Sequence, residues 1–105
     1  MSKNLLLYGY SGFNTDQRTR MEEIISELDD SVVVLMEDGT IGTRETGKKS
    51  PYSNLIQKNI KLYCQSEDFQ ARGNDLGSII DGIKPINYDE LIDLIETSER
   101  IISWL

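Results

Sequence analysis

Three stretches of this sequence carry side chains able to do chemistry. The first holds Cys64, the only cysteine among 105 residues, in the run Leu62-Tyr63-Cys64-Gln65-Ser66-Glu67-Asp68. The thiol ends a short apolar segment and stands just ahead of acidic residues of the kind that begin a helix. A helix N-terminus lowers a thiol pKa and favours the reactive thiolate. Glu67 and Asp68 act in the opposite sense, because nearby negative charge disfavours a second one. Two readings stay open: a nucleophile served in space by Lys48 and Lys49, or a small buried residue. Free cysteine is among the most buried residue types, so the residues alone favour the second.

The second stretch, Gly42-Thr43-Arg44-Glu45-Thr46-Gly47-Lys48-Lys49-Ser50, comes within one residue of a P-loop. That motif needs Ser or Thr directly after the lysine, so that the hydroxyl reaches Mg²⁺ from the first helical turn. Here Lys49 holds that place and Ser50 comes one residue late. What remains is either a solvated loop or a small-anion site at the start of the following helix. The third stretch is Asp38-Gly39, directly after a β-branched run. Ligand sites of open α/β sheets collect at the carboxyl ends of strands, although Asp-Gly is also a plain turn dipeptide. Asp38, Gly39, Lys48, Lys49 and Ser50 are therefore the candidate anion-binding residues. Glu67-Asp68 is not a catalytic pair, since adjacent residues on a helix do not face each other.

Composition narrows the chemistry. The chain has no histidine, which removes the commonest general base and transition-metal ligand and every Ser-His or Cys-His arrangement. No metal or cofactor is expected, and no independent catalysis is expected beyond what the Cys64 thiol could carry. One cysteine forms no internal disulfide and agrees with a reducing compartment. With 18 acidic and 11 basic residues the formal charge is -7, and direct nucleic-acid binding, which runs on Lys and Arg, is not expected. No apolar run approaches the roughly 20 residues of a membrane span. The apolar start at Leu5 to Tyr8 is too short for a signal peptide. The expectation is a cytoplasmic protein with one domain over 1–105.

The elements that must position these residues follow from periodicity. Asn4 to Gly9 reads as a buried strand. Asn14 and Gln17 suggest a capping box ahead of a helix whose apolar face is Met21, Ile24, Ile25 and Leu28. Ser31 to Met36 is apolar on both faces and so a central strand. Asp38 to Lys49 is a polar, glycine-containing loop, with Ser50 as N-cap and Pro51 as first residue of a short helix carrying Tyr52, Leu55 and Ile56. Ile60 to Cys64 is a third strand, followed by a very short helix capped by Ser66 and stopped at Gly73. Asn74 to Gly82 shows no clear period. Ile83 to Ile86 is a strand that Pro85 confines to an edge. Asn87 and Glu90 form a capping box before a helix face of Tyr88, Leu91, Ile92 and Ile95, and Arg100 to Leu105 is the last strand. Alternating strands and helices argue for an α/β sandwich around a mostly parallel sheet.

Several pieces together resemble a known family. They are Asp38-Gly39, Leu62-Tyr63 with Asp68-x-x-Ala71-Arg72-Gly73, then Ile86-x-Tyr88 with Leu91, Ile92 and Leu94, and finally Trp104. This order resembles the DsrE/DsrF/DsrH-like sulfur-relay proteins, and most nearly the DsrH/TusB branch. The resemblance implies a three-layer α/β/α sandwich whose five-stranded, mainly parallel sheet has the order 4-3-2-1-5. It also implies assembly with sister DsrE/DsrF-like (TusD/TusC-like) subunits, or with copies of the same chain, to pass persulfide sulfur toward tRNA 2-thiouridine or within sulfur oxidation. In the DsrE/TusD branch a cysteine near the end of the third strand carries the sulfur. In the DsrH/TusB branch that cysteine is often missing and the subunit is structural. Cys64 stands one residue from the carrier position and where the DsrH/TusB pattern usually has alanine. Its readings are thus a persulfide carrier or a packing residue. The apolar last strand with Trp104 is a candidate interface, with a core aromatic as the plain alternative.

Overall fold

The computed structural model describes residues 3–105. Its strands are β1 (Asn4–Tyr8), β2 (Ser31–Leu35), β3 (Lys61–Gln65), β4 (Ile83–Ile86) and β5 (Arg100–Trp104). Its helices are α1 (Thr15–Glu27), α2 (Ser53–Gln57), α3 (Ser66–Ala71) and α4 (Tyr88–Thr97). The sheet order is β4-β3-β2-β1-β5, and every neighbouring pair is parallel.

Chirality explains how the helices divide between the faces. Parallel crossovers are right-handed. From β1 to β4 the chain steps one way across the sheet, so α1, α2 and α3 share one face. The return from β4 to β5 runs the other way and carries α4 to the opposite face. The two cores record this division. Leu6, Tyr8, Val33, Leu35, Leu62 and Cys64 pack with Met21 and Ile25 of α1, with Tyr52 and Leu55, and with Phe69 of α3. On the other face Leu5, Leu7, Val32, Val34 and Ile86 pack with Leu91 of α4. β2 is the middle strand and its Val32–Leu35 are buried on both faces, which is why it reads as a continuous β-branched and apolar run. Pro85 pairs with Cys64 on the edge strand β4, where its missing N–H leaves no ladder bond unmade.

Several element boundaries differ from the sequence expectation. Ser50 does not cap α2. The helix starts at Ser53 behind Tyr52, while the Ser50 hydroxyl donates to the Gly42 carbonyl and accepts from the Tyr52 amide. Ser66 does not cap α3 either. It is the first helical residue, and the Gln65 side chain accepts from the Asp68 amide as the cap. The loop from Asp38 opens as a 3-10 turn over Glu37–Thr40, and Asn74 to Gly82 contains another at Leu76–Ser78. Asn87 and Glu90 make the full capping box, whereas Asn14 accepts from the Gln17 amide alone. α4 is rotated from its expected face: Leu91, Leu94 and Ile95 meet the sheet, and Tyr88 and Ile92 are exposed.

Two buried tyrosines on the first face give a test of the packing. The Tyr52 hydroxyl donates to the Gly39 carbonyl at 2.6 Å, while the Tyr8 hydroxyl has no hydrogen-bond partner among the described residues. Burial pushes the Tyr8 phenol up to about 12. Tyr52→Phe is expected to cost about 1–2 kcal/mol in urea unfolding, because a buried acceptor loses its donor. Tyr8→Phe is expected to cost nothing or to stabilise slightly.

Candidate functional site

The carboxyl ends of β2 and β3 are stapled together by polar side chains. Glu37 follows β2 at φ 52, a left-handed conformation uncommon outside glycine. Its amide donates to Asp68 Oδ2 of α3 at 2.7 Å. The Tyr88 hydroxyl reaches Asp68 Oδ1 at 3.4 Å. One turn along α3, Arg72 pairs with Asp38 at 2.8 Å. Gly73 then ends the helix at φ 83, and its amide closes the last turn on the Gln70 carbonyl at 2.9 Å. Glu67 takes no part in this network. Its carboxylate accepts from the Gln65 side-chain Nε2 and the Ser66 hydroxyl, so Glu67 and Asp68 serve different partners and form no acid–base dyad.

Gly39 lies inside this turn with a packing role. A Cβ there would collide with the Tyr8 carbonyl of β1, so only glycine lets the turn cross so close to that strand.

Cys64 is the next-to-last residue of β3, and its side chain points into the three-helix face. It is 0% exposed. Its sulfur lies 3.6 Å from the Thr43 hydroxyl, which also contacts the Thr40 carbonyl at 2.8 Å. Burial pushes the Cys64 thiol up to about 11; the Thr43 hydrogen bond only partly opposes this, and the Asp68 charge adds to it. The thiol therefore stays protonated at neutral pH, the reverse of what a nucleophile needs.

Residues 41–50 close over this region. Arg44 bridges to Ile79 in antiparallel fashion, the Glu45 amide donates to the Ser78 carbonyl, and the Ile80 amide donates to the Thr43 carbonyl. Thr43 is thereby pressed onto Cys64 while Arg44, Lys48 and Lys49 are left at the surface. Lys48, Lys49 and Ser50 border an open cleft of about 470 Å³; Asp38, Gly39 and Cys64 do not line it. The helix that follows has five residues, so the P-loop geometry of strand, phosphate-cradling loop and long helix is not present. Trp104 lies on the same face at the opposite edge of the sheet, half-buried against Tyr8 at a ring distance of 6.5 Å. Its indole N–H donates to Gln17 of α1 at 2.8 Å.

A profile of the family described as "DsrH like protein" matches residues 11–101. The chain belongs to the DsrH-like family. No curated protein sequence shows a significant match. Among solved structures, the ychN protein from E. coli aligns with a TM-score of 0.71 at 18% identity, covering 99% of this chain and 100% of that one. Protein Tm0979 from Thermotoga maritima aligns with a TM-score of 0.58 at 28% identity, covering 89% of this chain and 91% of that one. The first likeness supports the fold, a five-stranded parallel sheet in the order 4-3-2-1-5. DsrH-like membership implies a role in sulfur relay and partners of the DsrE/DsrF/DsrH type. No described helix is long and apolar enough to cross a membrane.

For this DsrH-like chain the residues that signalled the family turn out to be neighbours. Asp38, Asp68, Arg72, Gly73 and Tyr88 form or border the staple between β2 and α3. Sequence reading used them as identifiers and missed their common purpose. It also missed Thr43 as the lid on Cys64, and Phe13, Arg44 and Arg72 as walls of the cleft. Thr43 and Arg44 lie in the stretch that resembles a P-loop, and Arg72 in the family motif, but nothing in the sequence pointed to Phe13.

Proposed function

We propose that this DsrH-like chain serves as a TusB-like subunit of a cytoplasmic sulfur-relay assembly, contributing mainly by association with sister TusD/TusC-like subunits or with further copies of itself. In this reading residues 1–105 act as one domain. The setting is tRNA 2-thiouridine formation or sulfur oxidation. The observation that supports a structural part is the burial of Cys64, whose side chain fills the first core and whose thiol holds its proton. A carrier must expose a thiolate that takes the outer sulfur of a donor persulfide, and then expose the resulting persulfide to an acceptor thiolate; the buried, protonated Cys64 is suited to neither step. The half-buried Trp104 with exposed Ile101 and Leu105 on the β5 side supplies apolar surface for association.

The test uses the folded protein, a small-molecule persulfide donor and mass spectrometry. No sulfur atom is expected to add to the wild type, while co-purification with TusD/TusC-like subunits is expected to give a stable complex. Addition to the wild type that disappears in Cys64→Ser would show a carrier instead. A lone monomer in the presence of those subunits would remove the association reading.

A further inference from the structure

The cleft of about 470 Å³ opens at the carboxyl edge of the sheet, between the segments that follow β1, β2 and β3. Its volume lies in the range of small-ligand sites, about 300–1,000 Å³. Its charge is out of keeping with the rest of the chain. Arg44, Lys48, Lys49 and Arg72 line it, and no acidic side chain does, in a sequence where acids outnumber bases 18 to 11. Arg72 is held in place by Asp38. Arg44, Lys48 and Lys49 form no ion pair among the described residues. The nearest acid in sequence, Glu45, turns its carboxylate back to the Gly47 amide at 2.7 Å.

Like charges gathered in one concavity repel each other and attract anions. These cations also ride on a fixed frame rather than a free loop. The segment is tied at Arg44 to Ile79, at Glu45 to Ser78 and at Ser50 to Gly42. A prearranged site loses less conformational freedom when a ligand arrives. Beside the cations stands an apolar ledge. Phe13 is 67% exposed, Ile41 is 39% exposed, and Pro51 lies next to them. An aromatic ring left in water next to unpaired cations matches a ligand with a charged end and a flat apolar end.

We propose that this cleft binds a small anion carrying a planar ring system, of the nucleoside diphosphate class, with its phosphates on Arg44, Lys48 and Lys49 and its ring on Phe13. The site is separate from the thiol, which does not line it, and it holds whether or not the chain carries sulfur.

The full-length protein is titrated with ADP, with inorganic pyrophosphate and with a short single-stranded RNA, by calorimetry and by the ring resonances of Phe13. ADP is expected to bind with a Kd below about 1 mM at low salt and to weaken as salt screens the exposed charges. Lys48→Ala with Lys49→Ala is expected to weaken ADP and pyrophosphate alike, by about tenfold or more. Phe13→Ala is expected to weaken ADP by about tenfold, as loss of one stacking partner does, and to leave pyrophosphate unchanged. All three positions are exposed, and thermal unfolding of each variant confirms that it folds. Cys64→Ser is expected to bind ADP as the wild type does, which separates this result from the sulfur-relay reading. Absence of ADP binding up to about 10 mM, a level well above ordinary ligand affinities, or undiminished binding in the lysine variant, would overturn the site. Equal affinity for ADP and pyrophosphate would overturn the ring-binding ledge. Tighter binding of the RNA than of ADP would overturn the small-ligand assignment.

Discussion

Gly39→Ala is expected to destabilise the protein by about 3 kcal/mol or more, at or beyond the upper end of ordinary overpacking costs. The added Cβ meets the Tyr8 carbonyl, a backbone atom that cannot swing aside. Tyr8 is the last residue of β1 and is wholly buried. Its carbonyl also accepts from the Met36 amide. Any shift of the turn breaks that bond together with the one from Tyr52 to the Gly39 carbonyl. Denaturant unfolding followed by circular dichroism measures the loss. For a domain whose whole stability is about 5–15 kcal/mol, the same change should lower soluble yield. A cost below about 1 kcal/mol, typical of a surface change, would mean that Asp38-Gly39 is only a tolerant turn.

The second large effect concerns Cys64. At about pH 8, a thiol with a pKa near 11 holds about a hundredfold less thiolate than one near 9, and thiolate is the reacting form. Steric closure under Thr43 slows labelling further. A disulfide reagent should therefore modify the folded protein at least a hundredfold more slowly than the urea-unfolded chain. Thr43→Ala trims the lid but also removes the hydroxyl that lowers the thiol pKa, so the two effects oppose and labelling should change only modestly. Stability follows the same proton. The folded state holds it more tightly than the unfolded chain, so stability is intact below about pH 9 and declines as pH rises toward 11. The full loss is about 3 kcal/mol for a shift of this size. The raised phenol of Tyr8 extends the decline to higher pH. Rapid labelling of the folded wild type at about pH 8 would show an open thiol and return the carrier reading.

The strands were legible because each signal was local or covalent, while their order came from the family resemblance, with which the edge proline agrees. β2 announced itself by apolar residues on both faces, β4 by a proline that only an edge tolerates, and α4 by Asn87 and Glu90. Helix starts failed where a neighbour competed for the capping role. Ser50 spends its hydroxyl on Gly42, and Gln65 reaches the Asp68 amide before Ser66 does. The face of α4 was misjudged because periodicity locates an apolar stripe but not which edge of it meets the sheet. The candidate site was less legible still. Phe13, Arg44 and Arg72 come from three separate segments, and only the crossings of the sheet bring them to one cleft. Thr43 and Cys64 are likewise joined by packing that no spacing announces.

The strand order also fixes a sequence of events in time. β1 finds one neighbour early, in Ser31–Leu35, but the other only in Arg100–Trp104. Until that last strand is synthesised and docked, one edge of the apolar strand β1 has no ladder partner, and unpaired edges are where chains join the wrong neighbour. Contacts so distant in the chain are also slow to form. Assembly of this molecule therefore has a late, concentration-sensitive step, in which closure of β5 competes with aggregation of the half-made sheet.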